Sequence, residues 1–150
     1  MLRRDRRYLE FWGLYDRVSL LAFDARRTPF RDAAVNTMTT FVGLPSIQES
    51  GNLLGELRRI VSGTLLAITA FYSQEDEIHA PVIRKAGMEA ILYRPLMLAA
   101  FRAAGWQVEV TNARSAKVRP TPKGVVLDQF QVDGFPLVET TQETCVLVAC

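Results

Sequence analysis

The sequence predicts an α+β fold in which N-terminal helices, the first of them long, pack on a C-terminal, mainly antiparallel β-sheet. Apolar residues recur at helical spacing in the first third of the chain, and β-branched residues dominate the last third. The length of 150 residues is typical of one domain. We therefore expect a single domain over 1–150, with a helical N-terminal part at 1–51, further helices at 52–105 and a β-rich part at 106–150.

The first helix is predicted over residues 2–25. Phe11, Leu14, Val18 and Leu21 follow one another at spacings of three and four, so they share one helical face. The helix should end before Pro29, because a residue that precedes proline avoids helical angles. Residues 30–42 are expected to form a second short helix, although their threonines favour helices weakly.

The hydrophobic period of the segment from Asn52 to Tyr72 does not decide between a helix and a strand. Asn52 is a suitable N-cap, and an apolar face continues past Gly63, which favours a helix throughout. The alternative is that a strand starts at Thr64. The residues that share the helical face are Leu57, Val61, Thr64, Ile68 and Phe71.

A helix that stops at Gly105 and a strand that follows at once are predicted next. Trp106, Val108 and Val110 alternate with polar residues and should point inward. Further strands are expected at 125–133 and from Leu137 to Cys150, the latter as one long strand or two short ones. We expect its part from Thr140 to Cys150 to form an edge of the sheet and to pair with another chain.

Composition excludes several classes of protein. The longest apolar run, Leu96 to Phe101, is too short for a membrane helix, and no secretory signal is visible. Cys145 and Cys150 are expected to be free thiols in a reducing compartment. We therefore expect a cytoplasmic protein, or a virion part assembled in the cytoplasm, that has no membrane partner.

Catalytic motifs are absent from the sequence. It contains no Gly-x-Ser-x-Gly elbow and no Gly-x-Gly-x-x-Gly loop. The only histidine, His79, lies beside Glu75, Asp76 and Glu77, and a small enzyme centred on His79 is one alternative function. A solvated acidic loop is the simpler interpretation, so we expect no enzyme, no catalytic or metal-binding residue and no cofactor.

Two basic segments are the candidate interaction sites, because residues 1–31 hold eight arginines against four acids and residues 112–127 hold four basic residues and no acid. We expect them to contact the acidic surface of another protein or nucleic-acid phosphates, and a nucleic-acid-associated binding module is a second alternative function. The candidate residues are Arg3, Arg4, Arg6 and Arg7 in the first helix, and Arg114, Lys117, Arg119 and Lys123 in the segment between two strands.

The architecture resembles that of phage head-to-tail connector and tail-completion subunits, which are also small, poor in motifs and built from a long first helix and basic extensions. The resemblance implies a structural subunit of a homo-oligomeric virion assembly, with copies of itself and other protein subunits as partners. The resemblance rests on architecture and on no sequence motif.

Overall fold

The computed structural model describes residues 2–47, 50–121 and 136–150. These residues form an α/β fold around one four-stranded sheet. The helices are α1 (Leu2–Phe11), α2 (Ser50–Ile60), α3 (His79–Lys85), α4 (Glu89–Leu92) and α5 (Arg94–Ala103), with short 3-10 turns at Tyr15–Arg17 and Leu44–Ser46. The strands are β1 (Val35–Phe41), β2 (Val61–Tyr72), β3 (Val108–Val118) and β4 (Thr140–Ala149).

The sheet is mixed, and three of its strands run in the same direction. The strand order is β1-β2-β4-β3; β1 is parallel to β2, and β4 is antiparallel to both β2 and β3. Helix α2 connects β1 to β2, and α3, α4 and α5 connect β2 to β3. The expectation of a mainly antiparallel sheet with helices only before it is therefore wrong, because the helices alternate with parallel strands.

The first helix is much shorter than predicted. It ends at Phe11 and is followed by Gly13 in the left-handed region (φ +64°) and by the 3-10 turn. Part of the apolar pattern that predicted residues 2–25 as one helix lies in extended backbone, beginning at Val18. The apolar spacing is the same in the helix and in the extended segment that follows it, so the hydrophobic period alone did not locate the end of α1.

Two segments expected to be helical are strands. Residues 35–41 form β1, in agreement with the weak helix preference of their threonines, and residues 61–72 form β2 after α2 ends at Ile60. In β2, Leu65, Ala67 and Thr69 are buried beneath the helices while the intervening residues are half-buried. A strand buried in part on both faces gives a nearly continuous apolar run, which looks helical in sequence.

The junction between α5 and β3 agrees with its prediction. Gly105 has φ +86° and Trp106 is buried, while Val108 and Val110 are half-buried and the alternate residues are exposed. The Trp106 indole N–H donates to the Leu54 carbonyl at 3.1 Å, which joins this junction to α2.

The C-terminal strand is not an edge strand. β4 lies between β2 and β3, so both of its edges are paired and the expected interface at Thr140–Cys150 is wrong. Cys145 is buried and Cys150 is exposed, and neither forms a disulfide. The strand predicted at 125–133 lies outside the described residues, and the single-domain division stays a prediction.

The segment that leads into β1 is held against α2 by a network of charged hydrogen bonds. The Glu56 carboxylate accepts two hydrogen bonds from Thr28, both at 2.7 Å, and two from Arg59, at 2.6 and 2.9 Å. Arg59 also donates to Asp32 at 2.6 Å and to the Phe30 carbonyl at 2.9 Å. This network fixes where the chain enters the sheet.

Candidate functional site

The carboxyl ends of β1, β2 and β3 open at the same edge of the sheet, where the N-terminal end of β4 also lies. In open α/β sheets, ligands bind in the crevice outside the carboxyl ends of the strands. Three hollows lie along the described part of this edge. We call them the first cleft, the second cleft and the apolar cavity.

The first cleft lies where β2 ends and α5 begins. Its volume is about 250 Å³. Arg94 donates to both oxygens of Glu143, at 2.9 and 3.1 Å, across its wall. The lining residues are Phe71, Tyr72, Ser73, Arg94, Ser115, Thr141 and Glu143.

Tyr72 gives this cleft a neutral phenol. Burial raises the pKa of Tyr72 to about 12, because the phenolate would lose its hydration, and the nearby charge of Asp76 adds to the rise. A hydrogen bond with Gln142 opposes this shift only in part. The ring therefore presents a hydroxyl group, and no base, at neutral pH.

The second cleft lies beside the first and has a volume of about 350 Å³. Lys117 and Glu139 form an ion pair at 3.2 Å on its rim, and both side chains are mostly exposed. Asp76 and Thr140 contribute to its wall.

His79 has no exposed surface, and it contacts Tyr72, which lines the first cleft, and Asp76, which lines the second. Its Nε2 accepts the Leu137 backbone N–H at 2.9 Å, so its Nδ1 carries the proton and donates to Asp76 at 2.7 Å. The same Asp76 oxygen accepts the Thr140 hydroxyl at 2.6 Å. The prediction of a solvated acidic loop is wrong for His79, which is buried at the start of α3, but it holds for Glu75 and Glu77, which are exposed.

Asp76 stays ionised within this cluster. Burial raises the pKa of its carboxyl, but the hydrogen bonds from Thr140 and from the backbone and ring of His79 outweigh burial and lower it to about 2. Both ring nitrogens of His79 are engaged, so the ring has no nitrogen left to take a proton from a substrate. An enzyme centred on His79 is therefore not supported by the geometry.

The apolar cavity lies at the carboxyl end of β1, beneath the segment that leads into this strand. Its volume is about 140 Å³. Thr28 and Thr40 are the polar residues of a wall that is otherwise apolar. The remaining lining residues are Phe23, Ala25, Met38, Gly43, Leu44, Ile47, Leu53 and Leu57.

The basic residues singled out in the sequence are distributed over the molecule. Lys117 lines the second cleft, while Arg114 is exposed on β3 and Arg119 just beyond it. Arg6 pairs with Glu10 at 2.7 Å and lies over the ring of Tyr15. Arg3, Arg4 and Arg7 also lie on α1, and Lys123 falls outside the described residues.

These residues stay predicted contact sites, because nothing in the structure tests their partners. Within the described ranges, no three His, Cys, Asp or Glu side chains are grouped so as to hold a metal ion. None of the helices in this part of the chain is both long and apolar enough to cross a bilayer.

The sequence did not single out the residues that line the first cleft. Arg94, Ser73 and Thr141 belong to no catalytic motif, and Arg94 pairs with a residue 49 positions away. The signal that would find them is the alternation of strand and helix, since it places strand ends and helix starts at one edge. Two of the three parallel strands were not predicted, so this edge was missed.

Many solved structures share this fold, and several of them are described as methyltransferases. A protein provisionally assigned as a methyltransferase, from Bacillus halodurans, matches with a TM-score of 0.69 and 14% identity over 96% of this chain and 75% of that one. A SAM-dependent methyltransferase from Aquifex aeolicus matches with a TM-score of 0.55 and 15% identity over 95% and 60%.

A third similar structure is geranyl diphosphate C-methyltransferase from Streptomyces coelicolor, in complex with Mg²⁺, geranyl diphosphate and S-adenosyl-L-homocysteine. It matches with a TM-score of 0.60 and 14% identity over 96% of this chain and 57% of that one. No protein-family model and no curated protein matches the sequence.

These matches establish the Rossmann-like α/β fold with a mixed sheet that SAM-dependent methyltransferases have. The expectation of a non-enzymatic subunit of a phage connector is contradicted, because it rested on an architecture that this chain does not have and the three similar structures named above are described as methyltransferases. At such low identity the reaction has to be argued from the site of this chain.

Proposed function

We propose that the chain works in S-adenosylmethionine-dependent methyl transfer and binds the methyl acceptor at the carboxyl edge of its sheet. The observation that carries the proposal is the pair of clefts where β2 ends and β4 begins, both of which contain polar side chains, in a fold shared with methyltransferases over nearly the whole chain. Edges of this kind are where open α/β sheets bind ligands.

The first cleft is suited to a small acceptor that has an apolar part against Phe71 and Tyr72 and a polar part against the remaining lining residues. Its serine and threonine hydroxyls can each donate and accept a hydrogen bond, and Arg94 and Glu143 neutralise each other. A methyl acceptor with hydroxyl or amide groups would form hydrogen bonds with these side chains in place of water. Tyr72, held neutral, would donate its hydroxyl proton in a hydrogen bond and leave the acceptor's charge unchanged.

The described residues fit only part of S-adenosylmethionine. An apolar cavity of about 150 Å³ accepts a ligand the size of benzene, and the cavity at the end of β1 has a similar volume of about 140 Å³. It therefore has room for one of the two fused rings of adenine. Among the described residues, no comparable cavity encloses the sugar or the amino-acid part of S-adenosylmethionine, and the sequence contains no glycine-rich loop. The cofactor site is incomplete here, so no chemical step is assigned to it.

A reducing, cytoplasmic location suits the two free thiols, Cys145 and Cys150. This location is part of the proposal, and cell fractionation checks it.

The test is an NMR titration of the ¹⁵N-labelled chain with S-adenosylhomocysteine at millimolar concentrations. We expect amide shifts at Thr40, Gly43 and Leu44, around the apolar cavity. Leu44→Trp should fill the cavity and abolish these shifts, whereas Leu96→Trp, at an exposed position on α5, should keep them. Shifts absent from this edge, or unchanged by Leu44→Trp, would contradict the proposal.

A further inference from the structure

The first cleft is lined by one complete ion pair. Nη1 of Arg94, at the start of α5, donates to both carboxylate oxygens of Glu143 on β4, at 2.9 and 3.1 Å. Among the described residues that line this cleft, these two are the charged ones. Tyr72 adds no charge at neutral pH, because burial raises its pKa to about 12. The wall of the cleft therefore carries no net charge.

Arg94 and Glu143 each keep hydrogen-bonding capacity beyond their own pair. Within the described ranges, the pair accounts for every hydrogen bond of either side chain, so the N–H groups on Nε and Nη2 of Arg94 and the second lone pairs of the Glu143 oxygens remain available. The two side chains are 41% and 31% exposed, so a molecule in the cleft can reach them. The cleft therefore presents a donor and an acceptor side by side.

The charged residues of the neighbouring second cleft have partners of their own. Lys117 pairs with Glu139 at 3.2 Å. The Asp76 carboxylate accepts hydrogen bonds from Thr140 at 2.6 Å and from the ring of His79 at 2.7 Å. The charges that a molecule in the first cleft meets directly are thus those of its own ion pair.

An aromatic surface lies in the same cleft as the ion pair. Phe71 and Tyr72 both line it, and its volume is about 250 Å³. An apolar cavity of about 150 Å³ holds a molecule of benzene. The first cleft therefore has room for an aromatic ring that carries one small planar substituent, with the ring against the aromatic side chains and the substituent against the ion pair.

We propose that the methyl acceptor of the first cleft is an uncharged aromatic molecule with an amide group, and that Arg94 and Glu143 select it. This inference rests on the proposed function, because it names the acceptor of that reaction. The amide oxygen accepts a hydrogen bond from Arg94, and the amide N–H donates one to Glu143, so the ion pair stays closed.

Charged molecules of the same shape match only one half of the pair. A carboxylate has no N–H group for Glu143, whose negative charge repels it. An amidinium has no acceptor for Arg94, whose positive charge repels it. Repulsion and unmatched polar groups are the means by which a site rejects a close analogue of its ligand.

The experiment titrates the ¹⁵N-labelled chain with benzamide, benzoate and benzamidine. These probes have nearly the same shape, and at pH 7 they are neutral, negative and positive. We expect benzamide to shift the backbone amide signals of Ser73, Ser115 and Thr141, which line the cleft. Benzoate and benzamidine should bind at least about tenfold more weakly, because each is repelled by one member of the ion pair. This comparison uses the wild-type chain and needs no variant.

Substitution of one partner should change the charge preference of the cleft. Glu143→Gln removes the negative charge and should tighten benzoate binding at least about tenfold. Arg94→Gln should favour benzamidine in the same way. Arg102→Gln, at an exposed position on the same helix α5, is the matched control and should keep the wild-type order of affinities. Circular dichroism checks that the variants fold.

Three results would overturn the inference: benzoate or benzamidine binding the wild-type chain as tightly as benzamide, no shifts at the cleft with any probe, or an unchanged order of affinities in Glu143→Gln. The proposed function has a separate readout in the S-adenosylhomocysteine shifts at Thr40, Gly43 and Leu44. Those shifts without benzamide binding would overturn the acceptor class alone. Benzamide binding without those shifts would contradict methyl transfer and leave a charge-selective cleft.

Discussion

His79 is the residue whose environment differs most from its sequence context. Three acidic neighbours suggest a solvated loop, yet the ring is fully buried and connects Asp76 to the segment before β4. The contact partner at Leu137 is 58 residues away, so no local pattern reveals it. A lone polar residue in a charged segment can thus be a core residue, provided that its partners come from elsewhere in the chain.

His79→Ala should lower the free energy of unfolding by about 2–3 kcal/mol, because it leaves the Leu137 N–H and the Asp76 carboxylate without their buried partner. Chemical denaturation measures the change. Gln74→Ala, at an exposed position of the same loop, is the control and should change stability by less than about 0.5 kcal/mol. An equal, small effect of both substitutions would show that the ring is not part of the core.

Stability should fall as the pH drops from about 4.5 to about 2. The hydrogen bond from Arg59 lowers the pKa of Glu56 from 4.5 to about 2, against the effect of burial and with help from Thr28. The unfolded chain takes up this proton near pH 4.5 and the folded chain only near pH 2, so acid favours unfolding within this window. Asp76, whose pKa is also about 2, acts in the same direction.

Glu56→Gln isolates this contribution. The variant should be less stable than the wild type at pH 7 and should lose less stability between pH 4.5 and 2, as followed by urea denaturation at each pH. Glu77→Gln, in the exposed acidic loop, is the control and should retain the wild-type pH profile. A Glu56→Gln profile as steep as that of the wild type would show that Glu56 does not drive the acid sensitivity.

At the scale of secondary-structure elements, one boundary was predicted correctly, and a glycine lies at it. Gly105 ends α5 with φ +86°, and β3 follows with the predicted alternation. The boundary between α2 and β2 was missed because the apolar pattern continues through Ile60 and Val61 and past Gly63, which lies inside β2 and not at the end of the helix. Local chemistry therefore located an element end only where the backbone needs a special residue.

Gly105→Ala should destabilise the fold by about 1–2 kcal/mol, since a side chain at this left-handed position is strained. Space around the position is not limiting, because an added Cβ would meet no atom within 4 Å. Gly55→Ala is the matched change inside α2, where an added Cβ also meets nothing within 4 Å, and it should stabilise the chain by about 0.5–1 kcal/mol. Thermal unfolding compares the two, and a loss of stability in both would refute this explanation.

At the scale of the whole molecule, the order and direction of the strands in the sheet could not be predicted from the sequence. Parallel pairing of β1 with β2 joins residues about 26 positions apart, and β4 enters the sheet between two strands that precede it. Nothing in the composition of these strands encodes their order. The α5–β3 junction and the inward position of Trp106 were predictable, because they depend on neighbours in sequence.

The candidate site was unpredictable for the same reason. Arg94, Glu143 and Tyr72 meet because β2, β4 and the start of α5 reach one edge, and none of them belongs to a motif. Without the order of the strands, a polar cleft at the carboxyl edge is not visible in the sequence.

The measurement that tests the central claim most directly is photo-cross-linking of methyl-labelled S-adenosylmethionine to the intact chain, followed by peptide mapping. The account predicts label in peptides from the carboxyl edge, at the end of β1 around Thr40 to Ile47 or at the end of β2 around Tyr72 to Asp76, and its loss in Leu44→Trp. Label confined to α1, to β3 or to the middle of the sheet, or no label displaced by excess S-adenosylhomocysteine, would contradict a role in methyl transfer.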